Sequence, residues 1–457
     1  MKHITADSRK IKKGDIFVAV RGYSRDGHAF IQDAITRGAS LIIAEEGEYE
    51  IPYRIVEDSR AYLVEYLKRE YNPLFKNIKF VGITGTNGKT TTAYLIYKAL
   101  RNMGIKAAYI GTVGFYLEKK VCTLANTCPD VWNLYDLFLQ AKEEGCQYII
   151  QEISSDALAR GRVEGYLFDY AIFTNLTQDH LDFHKTMGNY ALAKQMLFKK
   201  LKKNGKAIVN ADDKYKEYFL LPENHNITYG FVSGDFRIES YKMSLEGISF
   251  SVEEGEETYS FKTRLIGKYN LYNLLATISL LKQLGFSYKE LQEVIPTLKA
   301  PLGRMETISY QTNQIIIDYA HTPDAMEKIL KTVKEFAKGN IYVVFGCTGD
   351  RDRTKRPIMF HIATSLSTKA IITNDDPHFE DPNQIVSDIL ENAEEKNYEV
   401  CLDRGKAIEK GIDLLKENDV LLILGKGHEE FILYKDEKIP FNDKQTVLKY
   451  LDSIAVR

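Results

Sequence analysis

Eleven prolines, five cysteines and a single tryptophan are few for 457 residues, and each scarcity closes off a class of protein. So little proline, beside 30 glycines, 44% hydrophobic and 27% charged residues, excludes a collagen-like or disordered chain, and the composition is not that of a coiled coil. The cysteines (Cys122, Cys128, Cys146, Cys347 and Cys401) are odd in number and form no Cys-x-x-Cys pair. That argues against a disulfide framework or a zinc ribbon and for reduced thiols. Neither sign of charge dominates: 61 Lys and Arg against 63 Asp and Glu leave a net of −2. No broad basic field exists to draw nucleic acid, and no polybasic run marks a membrane surface. Long apolar runs are missing too. Leu41-Ile-Ile-Ala and Val420-Leu-Leu-Ile-Leu have the length of buried strands, far short of the ~20 residues of a membrane span. The first nine residues carry charge and no apolar core, so a secretory signal is not expected and a cytoplasmic protein is.

What is present is a chain two to four times the length of a typical domain, with strand and helix signals that alternate. Residues 1–78 hold a strand at Asp15-Ile-Phe-Val-Ala-Val, a helix over 29–37 and a strand over 40–44, and close on a polar stretch at 71–78. Residues 79–298 open with the strand Lys79-Phe-Val-Gly-Ile-Thr and continue with strands near 148, 170 and 206. Strict alternation over 236–264 then predicts an antiparallel excursion, followed by a helix over 271–284. After the break at Pro301-Leu-Gly, residues 299–457 carry strands near 315, 341, 370 and 420, separated by helical stretches. The expectation is an α/β protein of three domains: a small N-terminal α/β domain, a central P-loop domain on a parallel sheet, and a C-terminal Rossmann-like domain.

The strongest motif is Gly82-Ile-Thr-Gly-Thr-Asn-Gly-Lys-Thr-Thr, which follows a strand and opens a helix. Glycines let backbone N–H groups turn toward a polyphosphate, Lys89 supplies a positive charge, and the Thr90 hydroxyl suits Mg²⁺. Two residues, not four, separate Gly85 from Gly88, so the loop is shorter than the common Walker spacing. Glu152, in Gln151-Glu-Ile-Ser-Ser, ends a buried strand, where a carboxylate beside a phosphate loop holds a metal ion. Ser154, Ser155 and Asp156 would equally serve as helix caps. Thr174-Asn-Leu-Thr-Gln-Asp-His-Leu-Asp-Phe-His gathers Asp179, His180, Asp182 and His184 without the Glu between histidines that a zinc protease needs. His180 suits a second Mg²⁺ position, and His184 a structural hydrogen bond. Lys194, taken alone, reads as a routine helix-surface lysine. Further on, Ile317-Asp-Tyr-Ala-His, Gly346-Cys-Thr-Gly-Asp-Arg-Asp-Arg-Thr-Lys-Arg, Asn374-Asp-Asp-Pro-His and Gly425-Lys-Gly-His-Glu all follow predicted strands. They should line one sheet edge, with Arg351, Arg353 and Arg356 able to grip carboxylate or phosphate.

In this order these motifs resemble the Mur ligases of peptidoglycan synthesis, over essentially the whole chain. Asp7-Ser-Arg, Gly14-Asp-Ile-Phe-Val-Ala and Asp26-Gly-His are similar to the branch that adds the third amino acid to UDP-N-acetylmuramoyl-L-alanyl-D-glutamate. The resemblance implies an ATP-dependent ligase in which the γ-phosphate passes to the D-Glu γ-carboxylate. An amino acid's amine then attacks the acyl phosphate, phosphate leaves, and catalysis rests on positioning and charge neutralisation. It implies ATP contacts from Gly85, Thr86, Asn87, Gly88, Lys89, Thr90 and Thr91, and from Asn273, Arg304 and Asp318. Mg²⁺ would be held by Thr90, Glu152, His180 and a carbamylated Lys194. The UDP-muramoyl-dipeptide would meet Ser8, Asn126, Thr127, Ser154, Arg160 and Arg162, and the free amino acid Arg351, Asp375, Asp376, His378, Gly425 and Glu429. A monomer is expected, with neither nucleic acid nor membrane as a partner.

Three departures stand out. Diaminopimelate-adding members usually read Asp-Asn-Pro-Arg where this chain has Asp375-Asp-Pro-His. An acidic pocket without that arginine suits a bare ammonium, which favours L-lysine or L-ornithine, with meso-diaminopimelate open. Cys128 and Asp156 stand where Thr and His are usual. They raise the alternative of a paralogue that joins an amino acid to another carboxylate, in secondary metabolism or in a folylpolyglutamate-like reaction. A non-catalytic nucleotide-binding regulator is a third reading, and Lys89, Glu152, His180 and Lys194 speak against it.

Overall fold

The computed structural model describes the chain except residues 1–2, 23–24, 178, 180, 223–224, 245 and 456–457 and the side chains of 181 and 182. His180 thus lies outside the described residues. Two compact units account for the chain: 1–237 with 275–286, and 238–274 with 287–457.

The first unit begins with a small parallel sheet of β1 (Ile4–Thr5), β2 (Ile16–Val18), β3 (Leu41–Ala44) and β4 (Tyr53–Ile55), in that order. With it go α1 (Ile31–Thr36) and α2 (Ser59–Tyr71). The helix expected over 29–37 opens as a 3-10 turn at Gly27–Phe30, where the Asp26 carboxylate accepts from the His28 N–H. Next come β5 (Lys79–Thr84), α3 (Lys89–Asn102), β6 (Ala107–Gly111), β7 (Gly114–Tyr116), β8 (Lys120–Cys122) and α4 (Val131–Glu143). They are followed by β9 (Tyr148–Glu152), α5 (Ser155–Ala159), β10 (Phe168–Phe173), α6 (Leu181–His184), α7 (Met187–Lys199), β11 (Leu201–Asn210) and β12 (Asn226–Gly230). These strands run in the order β12-β11-β10-β5-β9-β6-β7-β8, parallel from β12 to β6. The central position of β5 matters for the site. Its register pairs Thr84 with Phe173 and Ile83 with Glu152, so the C-terminal ends of β5, β9 and β10 open together. One core runs through both sheets, joining Ile4, Val18 and Leu63 to an aromatic cluster of Phe75, Phe80, Tyr135, Phe138 and Tyr166.

The second unit carries an antiparallel pair, β14 (Gly247–Glu254) with β15 (Glu257–Thr263), next to β13 (Phe236–Ser244), as the alternation predicts. Then α8 (Lys268–Gln283) and α9 (Tyr288–Val294) precede β16 (Glu306–Tyr310), β17 (Asn313–Asp318), α10 (Pro323–Lys334), β18 (Ile341–Phe345) and α11 (Lys355–Leu366). After these come β19 (Lys369–Ile372), α12 (Pro382–Ile389), β20 (Tyr398–Val400), α13 (Arg404–Asp413), β21 (Val420–Leu424), the hairpin β22 (Phe431–Tyr434) and β23 (Glu437–Pro440), and α14 (Asp443–Ala455). The main sheet runs β16-β17-β21-β18-β19-β20, parallel but for β16. Its central strands are continuous apolar runs because both faces are covered. Ile316, Val343 and Leu422 pack under α10 and α11, while Ile315, Ile317, Leu421 and Ile423 pack against α13 and Val447 of α14. Each such isoleucine contributes about 2 kcal/mol by leaving water. Among the described residues no helix is long and apolar enough to cross a membrane.

Candidate functional site

At the C-terminal end of β5 the chain turns through Gly85 (φ +144°) and Gly88 (φ +84°) before α3 begins at Lys89. A Cβ on Gly85 would stand 1.9 Å from the Thr174 hydroxyl, so the close pass against the end of β10 requires glycine. Asparagine 175 fixes the loop: its carbonyl accepts from the Thr86 N–H (2.8 Å) and its side-chain oxygen from the Asn87 N–H (3.0 Å). Lys89 Nζ donates to the carbonyls of Gly85 (3.0 Å) and Thr86 (2.8 Å). Thr91 is buried on the first turn of α3.

Glu152, fully buried at the end of β9, sits in a cage of donors. Its carboxylate accepts from the Tyr109 hydroxyl, the Thr112 N–H (2.9 Å), the Thr112 hydroxyl (3.1 Å) and the Thr90 hydroxyl (2.8 Å). A Cβ on Gly111 would fall 2.1 Å from this carboxylate, so the cage also needs a glycine there. Thr127 joins through a 3.0 Å contact between its hydroxyl and that of Thr112. The expected metal-side and acceptor-side residues therefore share one hydrogen-bonded chain. Of the cap candidates, Ser154 is the one that caps: its side chain accepts from the Ala157 N–H and starts α5.

Lys194 is a correction. It is 1% exposed, not a surface lysine. On α7, Tyr190, Lys194, Leu197 and Phe198 share the buried face, and that i, i+4, i+7, i+8 spacing was visible in the sequence. Its Nζ lies 4.5 Å from the centre of the Tyr190 ring and donates to the Gly85 carbonyl at 2.7 Å, the same carbonyl that accepts from Lys89. Burial and then the nearby Lys89 charge drive its pKa well below the usual lysine value, with Asp179 opposing. Buried His184 holds the structural role read for it, with Nε2 2.9 Å from the Ser155 hydroxyl.

The other residues expected on the acceptor side fall into two groups. Arg160 and Arg162 pair with Asp156, and Arg162 also with Asp130. Asn126 is exposed at the loop before Thr127. Ser8 is buried in a 3-10 turn beside the small sheet and hydrogen-bonds Asp33. Cys128 is buried, its sulfur facing the Gln151 amide at 3.5 Å, and burial pushes its thiol up to about 12, which makes it unreactive.

In the second unit, Asp318 ends β17 and accepts from the N–H groups of Met305 (2.7 Å) and Ala320 (2.8 Å). Burial raises its pKa, while Arg304 and those N–H groups oppose the rise. The Arg304 guanidinium lies 5.0 Å from the Tyr319 ring centre, and its buried Nε has no hydrogen-bond partner among the described residues. Tyr269, which the sequence reading missed, has a buried hydroxyl without a hydrogen bond among the described residues, in the field of Asp318 and Arg304. Asn273 is one turn along α8 from it, held by the Asn270 side chain at 2.9 Å.

As expected, the four loops after β17, β18, β19 and β21 sit at neighbouring strand ends of one sheet. Gly425 (φ +114°) has room for no Cβ, which would meet the Asp375 carboxylate at 2.4 Å. Of the three arginines, Arg356 is wholly buried against Glu380 (2.9 Å) and Asp388 (2.6 Å), and Arg353 leans on Glu380 (3.2 Å). Arg351 is exposed and makes no ion pair among the described residues. Backbone pairing with Leu433 and Lys435 pins His378 at φ +52°.

The acidic pocket expected from Asp376 and Glu429 needs correction. Lys426, quoted in the motif but given no role, is fully buried between them, with Nζ 2.8 Å from Asp376, 2.7 Å from Glu429 and 3.7 Å from Asp375. The cluster already contains an ammonium, so its carboxylates are not waiting for one. Burial works to lower Lys426, but the three carboxylates together hold its pKa above the usual value.

Residues 1–84, 83–281 and 303–427 match, in turn, the Mur ligase family catalytic domain, the Mur ligase middle domain and the Mur ligase glutamate ligase domain. The UDP-N-acetylmuramoyl-L-alanyl-D-glutamate–2,6-diaminopimelate ligase of Clostridium botulinum is 40% identical over 99% of this chain and 96% of its own. A solved structure of a ligase of the same name superposes with a TM-score of 0.73 at 30% identity, covering 100% of this chain and 95% of that one. The MurF ligase of Thermotoga maritima, solved with ADP, shares the fold at a TM-score of 0.70 and 20% identity, covering 99% and 97%.

Proposed function

The chain belongs to the Mur ligase family of ATP-dependent ligases, and from that premise we propose that it joins the amine of a diamino acid to the free γ-carboxylate of UDP-N-acetylmuramoyl-L-alanyl-D-glutamate. The observation that carries the reading is the meeting of Lys89 and buried Lys194 on one loop carbonyl beside the donor cage of Glu152. Domains over 1–78, 79–298 and 299–457 would take the uridine end, ATP and the amino acid.

In this reading the loop Gly85–Gly88 and Lys89 bind the β- and γ-phosphates, and Thr91 braces the first turn of α3. Asp318, Arg304 and Asn273 take the nucleoside end. Thr90 and Glu152 are hard oxygen donors and fit a Mg²⁺ ion, which when bound would spread the charge of the transferred phosphoryl group. Lys194 lies in a dry setting that lowers its pKa and so favours the uncharged amine. It can add CO₂, losing a proton to become an anionic carbamate next to those oxygens. The γ-carboxylate attacks the γ-phosphorus and ADP leaves; the amine then attacks the acyl carbon and phosphate leaves. The residues position, neutralise and exclude water.

Diaminopimelate is the amino acid favoured. Relatives 37–40% identical are diaminopimelate ligases, and Lys426 removes the pocket argument for a bare ammonium. Arg351, which makes no ion pair among the described residues, is a cation available to a carboxylate. One observation favours L-lysine or L-ornithine instead, namely His378 in place of the family's arginine. Phosphate release with ATP, Mg²⁺ and the acceptor, measured across diaminopimelate, lysine, ornithine and neutral amino acids, decides. Release should require acceptor and diamino acid together. Brisk release from ATP alone overturns the proposal, and turnover with lysine only overturns the choice of amino acid.

A further inference from the structure

Two of the loops expected to hold the amino acid start at Asp375, past β19, and at Gly425, past β21, and β18 lies between those strands. At the ordinary strand spacing the two ends stand ~10 Å apart. The ladders that pass through β18 pair it with β19 as far as Ile372 and with β21 as far as Ile423, before either loop begins. Beyond them one side chain spans the gap. Arg404, the first residue of α13, donates from Nη1 to the Asn374 carbonyl (3.2 Å) and from Nη2 to the Leu424 carbonyl (3.0 Å). These are the backbone groups immediately before Asp375 and Gly425. Asp443, the first residue of α14, fixes the plane of the guanidinium, accepting from Nε (2.7 Å) and Nη2 (2.8 Å). Both side chains are 0% exposed. Gly425 keeps the space open, since a Cβ there would stand 2.4 Å from the Asp375 carboxylate and 4.0 Å from Arg404 Nη1.

We propose that Arg404 is a positioning residue of the amino-acid site, with Asp443 as its clamp: it ties the ends of β19 and β21 together and so sets the spacing of the loops that carry Asp375 and Gly425. This rests on the ligase reading. A buried ion pair adds little net stability over an apolar pair of the same volume, so fold stability alone does not account for this one. Its geometry does something an apolar pair cannot. The planar fork reaches two carbonyls on separate strands while it stays bidentate to one carboxylate. A lysine keeps the charge and can keep Asp443, but its single nitrogen cannot hold both carbonyls in that plane.

The test compares the wild type with Arg404→Lys and with the double variant Arg404→Met, Asp443→Leu in steady-state phosphate release, varying ATP, acceptor and diamino acid in turn. Asp403 rather than Arg404 caps α13, and the double variant leaves no unpaired charge, so both should unfold cooperatively in urea. The KM for the diamino acid should rise about tenfold in each variant, while the KM values for ATP and acceptor stay near those of the wild type. An unchanged KM for the diamino acid, or equal rises for all three substrates, overturns the inference, since Arg404 would then serve the fold alone. Amide hydrogen exchange supplies a readout that needs neither turnover nor a folded variant. In the wild type the N–H groups of Asn374 and Gly425, bonded to the carbonyls of Leu402 and Asp318, should be protected about as well as the ends of β19 and β21. Fast exchange at both overturns the inference too. Absence of wild-type turnover with every diamino acid overturns the ligase reading, and the inference with it.

Discussion

Lys194 in the first unit and Lys426 in the second are both about as buried as a lysine can be, at 1% and 0% exposure, yet their chemistry is opposite. Lys194 has a carbonyl, an aromatic face and a neighbouring lysine whose charge outweighs that of Asp179, and its pKa is driven well below the usual value, toward the reactive amine. Lys426 has three carboxylates around it and stays a cation that cannot. Burial alone therefore predicts neither charge nor reactivity; the anions brought along with the lysine decide.

The largest effect that would break this contrast is on stability. Lys426→Met should destabilise the protein by about 3–5 kcal/mol, because three carboxylates are left without their cation. Lys194→Met relieves the repulsion from Lys89 and removes only the weaker attraction of Asp179, and should be near neutral. Denaturant unfolding of the two variants side by side checks this, and equal losses would end the comparison. Burial already raises the pKa of Asp375 and Glu429. Such groups stabilise the fold fully below their ordinary values and lose that contribution as pH rises, so the Lys426→Met deficit should shrink in acid.

The next effect is catalytic. Lys194→Ala should lower turnover on the order of a hundredfold, near 2.7 kcal/mol of barrier, with partial rescue by short-chain carboxylates standing in for the carbamate. Failure of rescue at every concentration would leave Lys194 only a packing residue. Titration sharpens the contrast further. The folded pKa of Lys194 lies below the ordinary 10.5, so between the two values the unfolded chain binds more protons and this lysine makes stability climb with pH. Lys426 lies above 10.5 and contributes fully below it, so it is flat in that window. The stability gap between wild type and Lys194→Met, measured in CO₂-free buffer, should widen toward alkaline pH by up to about 1.4 kcal/mol per pH unit.

The same pair shows what a sequence carries and where it stops. The glycine loop after β5, Glu152 and the four loops on one sheet edge were legible, because strand and helix periodicity fixes which residues reach the C-terminal ends of parallel strands. Lys194 was half legible: its spacing with Tyr190, Leu197 and Phe198 puts it on the apolar face, a signal that the reading of a lone lysine passed over. The pairings of Lys426 with Asp376 and of Arg162 with Asp130 were not, because they depend on which loops lie side by side. Asp376 is 50 residues from Lys426, and Asp130 is 32 from Arg162, so neither pairing shows in any local window. The expectation of an acidic pocket failed for that reason. It counted Asp376 and Glu429 without the cation between them.

A third basic side chain, His3, lies between the two extremes and tests whether the anion rule survives exposure to water. Its ring stands between two carboxylates, Nδ1 3.1 Å from Asp15 and Nε2 3.1 Å from Asp136 of α4, with the side chain 34% exposed. A neutral imidazole has one N–H and one bare nitrogen, while carboxylates only accept, so both contacts can be hydrogen bonds only when the ring is protonated. The hydrogen bond to Asp136 raises the pKa of His3, partial burial opposes it, and Asp15 adds to the rise. A histidine raised in the folded state gives its full contribution below the ordinary 6.5 and loses it as pH climbs through the folded value. Solvent screening keeps the effect small: His3→Gln should cost about 0.5 kcal/mol near pH 5.5 and nothing near pH 9, read from urea unfolding at the two pH values. A cost that does not change with pH would mean that the ring is held by packing. The rule drawn from the two lysines would then apply only where water is excluded.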